Sequence, residues 1–407
     1  MSWLSGFGPI DLRLPSELQW VVPMAILTPQ EELVVQIHHS AGRIVLSLSG
    51  GGARAVSALT EIPGASRTLL EAVVPYCRAS LVEWLGGYPD QYCSAETARR
   101  MAMVSYLRAL ELEETDVPLA GVACTGSLVT DRPKKGQHRV HVAIQTASFT
   151  AVRSIGLTKD RRSRAEEEEL VARLVLNAVA EACGLEPVLD LGLVDEEQLE
   201  HVQTIAPPAW QELLLGKREI VRINSSAEDD QHEEHLIFSG AFHPMHQGHR
   251  RMAEIAEQML GKPVEFEITI LNPDKPPIDY QEIKQRIDQI GADRPIWLTR
   301  APTFVEKAKL LPGTTFIVGT DTVRRIADPR YYGNDSAACH AALLKIASRG
   351  CKFLVFGRNM GLGFIGLSQL DLPDPLRSLC QTVSEDVFRE DISSTELRRS
   401  RLDDEIL

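Results

Sequence analysis

The sequence lacks several features that mark secreted or membrane proteins. Its seven cysteines are scattered, and none of them forms a C-x-x-C pair. This distribution is typical of free thiols in a reducing compartment rather than of a disulfide framework or a zinc site. No apolar run approaches the roughly 20 residues that span a bilayer, and the opening segment has no basic stretch followed by an apolar one. We therefore expect a cytoplasmic protein that has no secretory signal and does not bind a membrane.

Positive charge is also scarce. The formal net charge is -13 over 407 residues, which argues against a nucleic-acid binder, because neutralising a phosphate backbone requires a basic surface. A small anionic substrate remains compatible with this balance, since it needs only a few local cations.

The patterning of the chain divides it into four regions. Residues 1–29 are weakly patterned and predict an irregular segment, and residues 30–185 mix helical and strand patterns. Residues 186–235 are acidic and contain prolines, which indicates a linker with one short helix. In residues 236–407, short apolar runs alternate with helical patterns. We therefore predict two α/β domains, the second with a Rossmann-like parallel sheet that binds ligands beyond the carboxyl ends of its strands.

A histidine-containing loop follows the first strand predicted in the last region. The stretch SGAFHPMHQGHRR places His246 and His249 close to the predicted start of a helix, after Gly240, which lets the backbone turn. A metal site would need further ligands and a nearby carboxylate. The pair could also be ordinary surface histidines. An anion pocket is the third interpretation, because imidazoles donate hydrogen bonds to phosphate oxygens and a helix N-terminus favours an anion.

A second candidate anion site lies near the end of the sequence. In DISSTELRRS, Ser393 is followed three residues later by Glu396, the pattern of a capping box that begins a helix. The first turn would carry Ser394, Thr395 and Arg398, which offer hydroxyls, backbone N–H groups and a cation to the outer phosphates of a nucleotide.

Together, the two segments resemble the HxGH and ISSTxxR signatures of the nucleotidyltransferase superfamily. The longer form of the first signature is similar to that of the nicotinamide or nicotinate mononucleotide adenylyltransferases. Its matching residues here are Gly240, Phe242, His243, Pro244, Met245, His246, Gly248 and His249.

Two further segments fit this resemblance. The stretch FIVGTDTVRRIADPRYY resembles the family's strand-end G-x-D segment, so Gly319 and Asp321 are expected near the ribose or adenine. In NPDKPP, Lys275 stands where relatives place a residue that contacts phosphate.

The resemblance implies transfer of AMP from ATP, with Mg²⁺, to a pyridine mononucleotide. His246, His249, Lys275 and Arg398 would be the catalytic residues, and no protein side chain would hold the metal ion. The remaining matched residues would bind nucleotide: Gly240, Phe242, His243, Gly248, Gly319, Asp321, Ser393, Ser394 and Thr395. Pantetheine-phosphate and cytidylyl transferases share both signatures, so another phosphorylated acceptor stays open, as does a non-catalytic nucleotide-binding or ATP-hydrolysing regulator.

The first domain carries a different resemblance. The stretch SLSGGGARAVSALTEIPGAS, with Ser47, Ser49, Gly50 and Gly51, is similar to the glycine-rich segment of the CinA carboxy-terminal family, which includes nicotinamide mononucleotide amidases. VVPYCRASLVEWLG and ACTGS, which contain Tyr76 and Thr125, follow in the family's order.

The resemblance implies an exposed Ser47 nucleophile next to backbone N–H groups that form an oxyanion hole. Tyr76 is present, but Leu81 occupies the position of the family's lysine, so Ser47 has no evident base. Amide hydrolysis, nucleotide binding without hydrolysis and a structural role are the alternatives. CinA-type domains commonly associate, so a homo-oligomer formed through this domain is a further expectation.

Overall fold

A computed structural model describes residues 27–131, 135–224, 234–272, 275–359 and 363–389. Two central sheets organise these residues, one in each half of the chain. None of the helices within the described ranges is long and apolar enough to cross a membrane.

The first domain is a six-stranded mixed sheet covered by helices on both faces. The strand order is β2-β1-β3-β4-β5-β6, and β1 is parallel to both of its neighbours, whereas the later pairs are antiparallel. Helices α1, α2 and α5 pack on one face, and α3 and α4 pack on the other. The elements are α1 (Pro29–His39), β1 (Arg43–Ser49), α2 (Arg54–Glu61), β2 (Leu69–Val73), α3 (Arg78–Leu85), α4 (Ala95–Leu112), β3 (Leu119–Ser127), β4 (His138–Thr146), β5 (Phe149–Leu157), α5 (Arg164–Ala182) and β6 (Leu199–Ile205).

The second domain contains a seven-stranded sheet in the order β15-β12-β11-β8-β9-β10-β7. All neighbouring strands are parallel except β10 and β7. The elements are α6 (Pro208–Leu214), β7 (Ile220–Ile223), β8 (Leu236–Ser239), α7 (Gln247–Leu260), β9 (Glu265–Thr269), α8 (Tyr280–Ile290), β10 (Ile296–Thr299), α9 (Phe304–Leu310), β11 (Thr315–Gly319), α10 (Thr320–Ile326), α11 (Ser336–Ser348), β12 (Lys352–Phe356), β13 (Arg358–Asn359), β14 (Phe364–Ile365), α12 (Asp374–Arg377) and β15 (Cys380–Val383).

The topology of the second domain places a ligand crevice at β8. The chain moves from β8 to β9 and β10 on one side, then returns to β11 and β12 on the other side. Ligands of such open sheets bind beyond the carboxyl ends of the strands, at the point where the order reverses. Here that point lies between the adjacent strands β8 and β11. The model confirms the predicted α/β class and the mainly parallel second sheet.

The segment interpreted as a linker, residues 186–235, contains more structure than its composition predicts. Besides the expected short helix, which is α6, it supplies β6 to the first sheet and β7 to the second. Strand β6 lies at an edge of its sheet, and all but one of its residues are exposed. Its polar sequence, which suggested a solvated spacer, suits an edge strand equally well.

The two domains meet at helices α4 and α8. Arg99 of α4 forms a buried ion pair with Asp279, which caps the N-terminus of α8, at an N–O distance of 3.0 Å. The Tyr280 hydroxyl donates to the carbonyl oxygen of Ala147 at 2.6 Å. Met103 and Tyr106 of α4 pack into the apolar core of the second domain. The contact is therefore both polar and apolar, and its ion pair is almost inaccessible to water.

Candidate active site

The loop between β8 and α7 is held in place by one aromatic side chain. Phe242 has a left-handed backbone, with φ of 47°, and its side chain is 1% exposed. Its ring packs against Phe238, Phe266 and His249, with centroid distances of 5.2, 5.3 and 5.3 Å. A Cβ atom on Gly240 would lie 2.7 Å from the Phe242 ring, so glycine is required where the loop leaves the strand.

This loop presents two stacked imidazoles at the start of α7. His246 is the residue before the helix and His249 lies in its first turn. Their ring centroids are 3.8 Å apart, and the backbone N–H of His246 donates to Nδ1 of His249 at 3.3 Å. Burial, together with the nearby charge of His246, lowers the pKa of His249 to about 3. His249 is therefore neutral at neutral pH, and since Nδ1 accepts, its proton resides on Nε2, which is left as a donor.

A cavity of about 290 Å³ opens beside this pair, and we call it the histidine cavity. It lies at the ends of β8, β11 and β12, where the topology predicts a ligand site. The buried Gly248 leaves the helix N-terminus open to it. The structure brings together here six residues expected from the sequence, namely Gly240, His246, Gly248, His249, Gly319 and Asp321.

Arg358 completes the histidine cavity and was not singled out from the sequence. Its Nη1 donates to Oδ2 of Asp321 at 2.8 Å. The available signal was its position directly after Gly357 at the end of β12, because the carboxyl ends of parallel strands share one edge of the sheet. Asp321 and Arg358 form a partly exposed ion pair, which leaves further guanidinium donors for a nucleotide.

A second cavity, of about 380 Å³, adjoins the first and lies between the domains. We call it the interdomain cavity. Ser239, Gly240, Ala241 and Thr322 line both cavities. Lys275, expected at the ATP phosphates, and His243, expected to bind nucleotide, line the interdomain cavity instead of the histidine cavity.

The floor of the interdomain cavity contains two closed ion pairs. Nζ of Lys307 lies 2.7 and 2.6 Å from the carboxylate oxygens of Glu267, and both side chains are buried. Glu282 pairs with Arg286 one turn later in α8. Burial raises the pKa of Glu282, but the charges of Arg286, His243 and Arg99 outweigh burial and lower it overall. These pairs neutralise themselves, so a ligand charge must be met by other residues.

Some predicted nucleotide contacts cannot be located. Ser393, Ser394, Thr395 and Arg398 lie outside the described residues. Their assignment to the outer phosphates stays a prediction from the sequence.

In the first domain, the structure corrects the placement of Ser47. This residue is 0% exposed, and its Oγ accepts a hydrogen bond of 2.9 Å from Ser105 of α4. The expectation of an exposed nucleophile is therefore wrong for Ser47, whose side chain is part of the packing between β1 and α4. Two residues later on the same face of β1, Ser49 ends the strand and donates to the carbonyl oxygen of Pro75 at 3.1 Å.

A cavity of about 290 Å³ does lie beside the glycine-rich turn of the first domain. Ser49, Gly50, Tyr76 and Thr125 line it, and Leu81, 2% exposed, occupies the place of the family's lysine. Thr125 is engaged as a donor to the carbonyl oxygen of Tyr92 at 2.8 Å. The first domain thus retains a cavity at the expected position without the expected nucleophile and base.

The glycines of the turn have a packing reason. Gly50 has φ of +78°, and a Cβ atom there would lie 1.9 Å from the carbonyl oxygen of Gly126. A Cβ atom on Gly51 would lie 2.7 Å from the Leu128 side chain. Close approach of two backbone segments therefore accounts for these glycines.

Comparison with known proteins finds a likeness for each half of the chain. Residues 237–400 match the model of the cytidylyltransferase-like family, so the second half is a nucleotidyltransferase-like domain. The N-terminal region is similar to solved CinA and competence-damage protein structures. No curated protein matches the chain.

Three of these structures illustrate the second likeness. The competence/damage-inducible protein CihA from Agrobacterium tumefaciens is 21% identical, covering 38% of this chain and 96% of its own, with a TM-score of 0.33. A CinA superfamily protein from Escherichia coli is 18% identical over 37% of this chain and 85% of its own, with a TM-score of 0.28. One from Klebsiella pneumoniae is 16% identical over 39% and 97%, with a TM-score of 0.29.

Proposed function

We propose that the second domain transfers the AMP group of ATP to nicotinamide or nicotinate mononucleotide and releases pyrophosphate. The observation that carries the proposal is the histidine pair at the start of α7, with a neutral His249, at the point where the strand order reverses. Its cavity opens directly into a second one that contains basic residues. Two adjoining cavities suit a reaction in which two nucleotides meet.

In this proposal, ATP occupies the histidine cavity and the acceptor occupies the interdomain cavity. A phosphate oxygen of the acceptor attacks the α-phosphorus of ATP. A new P–O bond forms as the bond from the α-phosphorus to the oxygen that bridges to the β-phosphate breaks, and pyrophosphate leaves with that oxygen. The attacking phosphate is already ionised, so no side chain has to remove a proton.

The chain would accelerate this step by positioning and by donating hydrogen bonds. Nε2 of His249 would donate to an oxygen on the α-phosphorus, where negative charge grows as the acceptor oxygen adds. The free N–H groups at the start of α7 would support the same oxygens. Because His249 is neutral, it stabilises the growing charge by a hydrogen bond and does not form an ion pair that would hold the product.

Magnesium would enter with ATP, as part of the substrate. Asp321 is the one carboxylate among the described residues that line the histidine cavity, and it is bonded to Arg358. This donor set suits an ion held mainly by phosphate oxygens and water, which is how Mg²⁺ is usually bound at nucleotides.

We do not extend the proposal to amide hydrolysis. The buried Ser47 and the apolar Leu81 both count against a serine nucleophile with a lysine base. A role for the first domain in nucleotide binding is compatible with its cavity.

The test is incubation of the full chain with MgATP and either mononucleotide, followed by chromatographic separation of products. A dinucleotide together with pyrophosphate is the expected result. Parallel reactions with CTP in place of ATP, and with pantetheine phosphate as acceptor, test the other substrate classes compatible with the same signatures. Product from one of these, and none from either pyridine mononucleotide, would move the assignment to that substrate.

A further inference from the structure

The interdomain cavity is built from both domains. Most of its lining belongs to the second domain, but Asp90, Glu96 and Arg100 come from the first. Glu96 and Arg100 lie one turn apart on α4, the helix that packs against the second domain. The candidate acceptor site therefore includes residues from outside the nucleotidyltransferase-like half.

Arg100 has a buried donor that none of the described residues satisfies. Its side chain is half-buried, and Nη2 is buried without a hydrogen-bond partner among the residues that the structure describes. An unsatisfied buried donor costs free energy, and more so when the group is charged. An anion in the cavity would remove this cost.

The contact between the domains fixes the position of Arg100. The preceding residue, Arg99, is locked to Asp279 by the buried ion pair at 3.0 Å. The backbone N–H of Tyr280 also donates to Oγ1 of Thr150 at 3.1 Å. Because α4 is held at this point, the backbone from which Arg100 reaches the cavity is fixed before a ligand binds.

The charges of the cavity indicate what Arg100 could bind. The cations of the floor, Lys307 and Arg286, are already paired with Glu267 and Glu282. Arg100 and the exposed Lys275 and Arg325 form no ion pair with a carboxylate among the described residues, so these three are left to meet a ligand anion. Asp90 and Glu96 line the same cavity. Their carboxylates can accept hydrogen bonds from the hydroxyls of a sugar.

We propose that the acceptor mononucleotide binds across both domains and that Arg100 of the first domain binds its anionic oxygens. These oxygens belong to the 5′-phosphate or, in the nicotinate form, to the ring carboxylate. The inference rests on the proposed function, because it places the acceptor in the interdomain cavity. It gives the first domain a part in the transfer reaction that requires no hydrolytic chemistry.

The experiment compares Arg100→Gln with wild type in the full chain. Loss of a charged hydrogen-bonding partner predicts a KM for the acceptor that is about 10- to 100-fold higher, with the KM for ATP unchanged. Arg108→Gln is the matched control, because Arg108 lies on the same helix but pairs with Glu71 and Glu111 away from the cavity. Arg100→Lys restores a cation and should recover part of the affinity.

Use of both acceptors identifies the bound group. If Arg100 binds the phosphate, the KM values of nicotinamide and nicotinate mononucleotide rise equally. If it binds the ring carboxylate, only the nicotinate form is affected. An acceptor KM that is unchanged for both substrates would overturn the inference and leave the transferase intact.

Calorimetric titration of each mononucleotide separates the two proposals when turnover is absent. If the mononucleotide binds wild type, binds Arg100→Gln more weakly and is not converted, the acceptor site shared by both domains is supported and the proposed reaction is contradicted. Equal binding to wild type and variant, or no binding to wild type, overturns the inference whatever the outcome of the transfer assay.

Discussion

The ends of strands β1 and β8 show how differently two similar positions can be used. Both strands are central in their sheets and lead into glycine-containing turns beside a cavity. After β8, the turn presents His246 and His249 to the cavity, and Nδ1 of His249 accepts from the backbone, which assigns its proton to Nε2. At β1, the serine expected to react is inside the core and accepts a hydrogen bond from Ser105.

The difference shows that a glycine-rich turn and a reactive side chain meet separate requirements. Gly50 is needed because the chain approaches Gly126 too closely for a side chain. That requirement belongs to folding and holds whether or not the site reacts. The glycine-rich signature of the first domain is therefore evidence for its fold. In the second domain, packing does not require that the histidines act as hydrogen-bond donors to a ligand.

The largest expected effect is on the second domain. His249→Ala removes the donor assigned to the growing charge, so the rate of AMP transfer should fall by about 10²- to 10³-fold, as for loss of an oxyanion-hole donor. Turnover of MgATP and mononucleotide measures it, with circular dichroism to verify the fold. His340→Ala is the control, since His340 is an exposed histidine on α11. A transfer rate within a few-fold of the wild-type rate would show that His249 is not part of the mechanism. The ends of β1 and β8 would then no longer differ in having a reactive side chain.

A smaller effect is expected in the first domain, and on stability rather than on products. Ser47→Ala leaves the Ser105 hydroxyl without its acceptor, so the free energy of unfolding should fall by about 1 kcal/mol. Denaturant unfolding measures this. Ser49→Ala, at the cavity, is the matched variant. The proportion of nicotinate products from nicotinamide mononucleotide should be the same in wild type and Ser47→Ala. Loss of a deamidating activity in Ser47→Ala alone would restore the serine as a nucleophile.

A third effect, again on stability, concerns pH. The pKa of His249 is lowered from its ordinary value of 6.5 to about 3 in the folded chain. Between these values the unfolded chain binds a proton that the folded chain does not, so the free energy of unfolding decreases as pH falls through this window. Unfolding at about pH 7.5 and about pH 5 should show a smaller decrease for His249→Gln than for wild type. An identical decrease would mean that the imidazole is already accessible to protons in the folded state.

Much of the second domain could be predicted from the sequence, because strands β8 to β12 contain short apolar runs and β8 to β11 are each followed by a helix. The histidine loop was equally accessible, since the residues that form it are consecutive. Arg358 was not identified, because its partner Asp321 is distant along the chain and only the strand order brings them together.

The orientation of Ser47 was beyond the sequence for a different reason. Alternation of polar and apolar residues shows which side of a strand faces the core, but β1 is buried on both faces. Ser47 and Ser49 share one face of the strand, and only the packing of α4 against that face covers Ser47 and leaves Ser49 at the cavity. Arg100 was missed because its role depends on the contact between two domains, which no local pattern encodes.

Strands β6 and β7, in residues 186–235, determine where the chain can be divided into fragments. A fragment that begins at Leu236 would lack β7, which pairs antiparallel with β10. The N–H and C=O groups along β10 would then be exposed on a sheet edge, and such edges recruit strands from other molecules. We expect that fragment to aggregate, whereas one that begins ahead of α6 keeps its edge covered and stays monodisperse by light scattering.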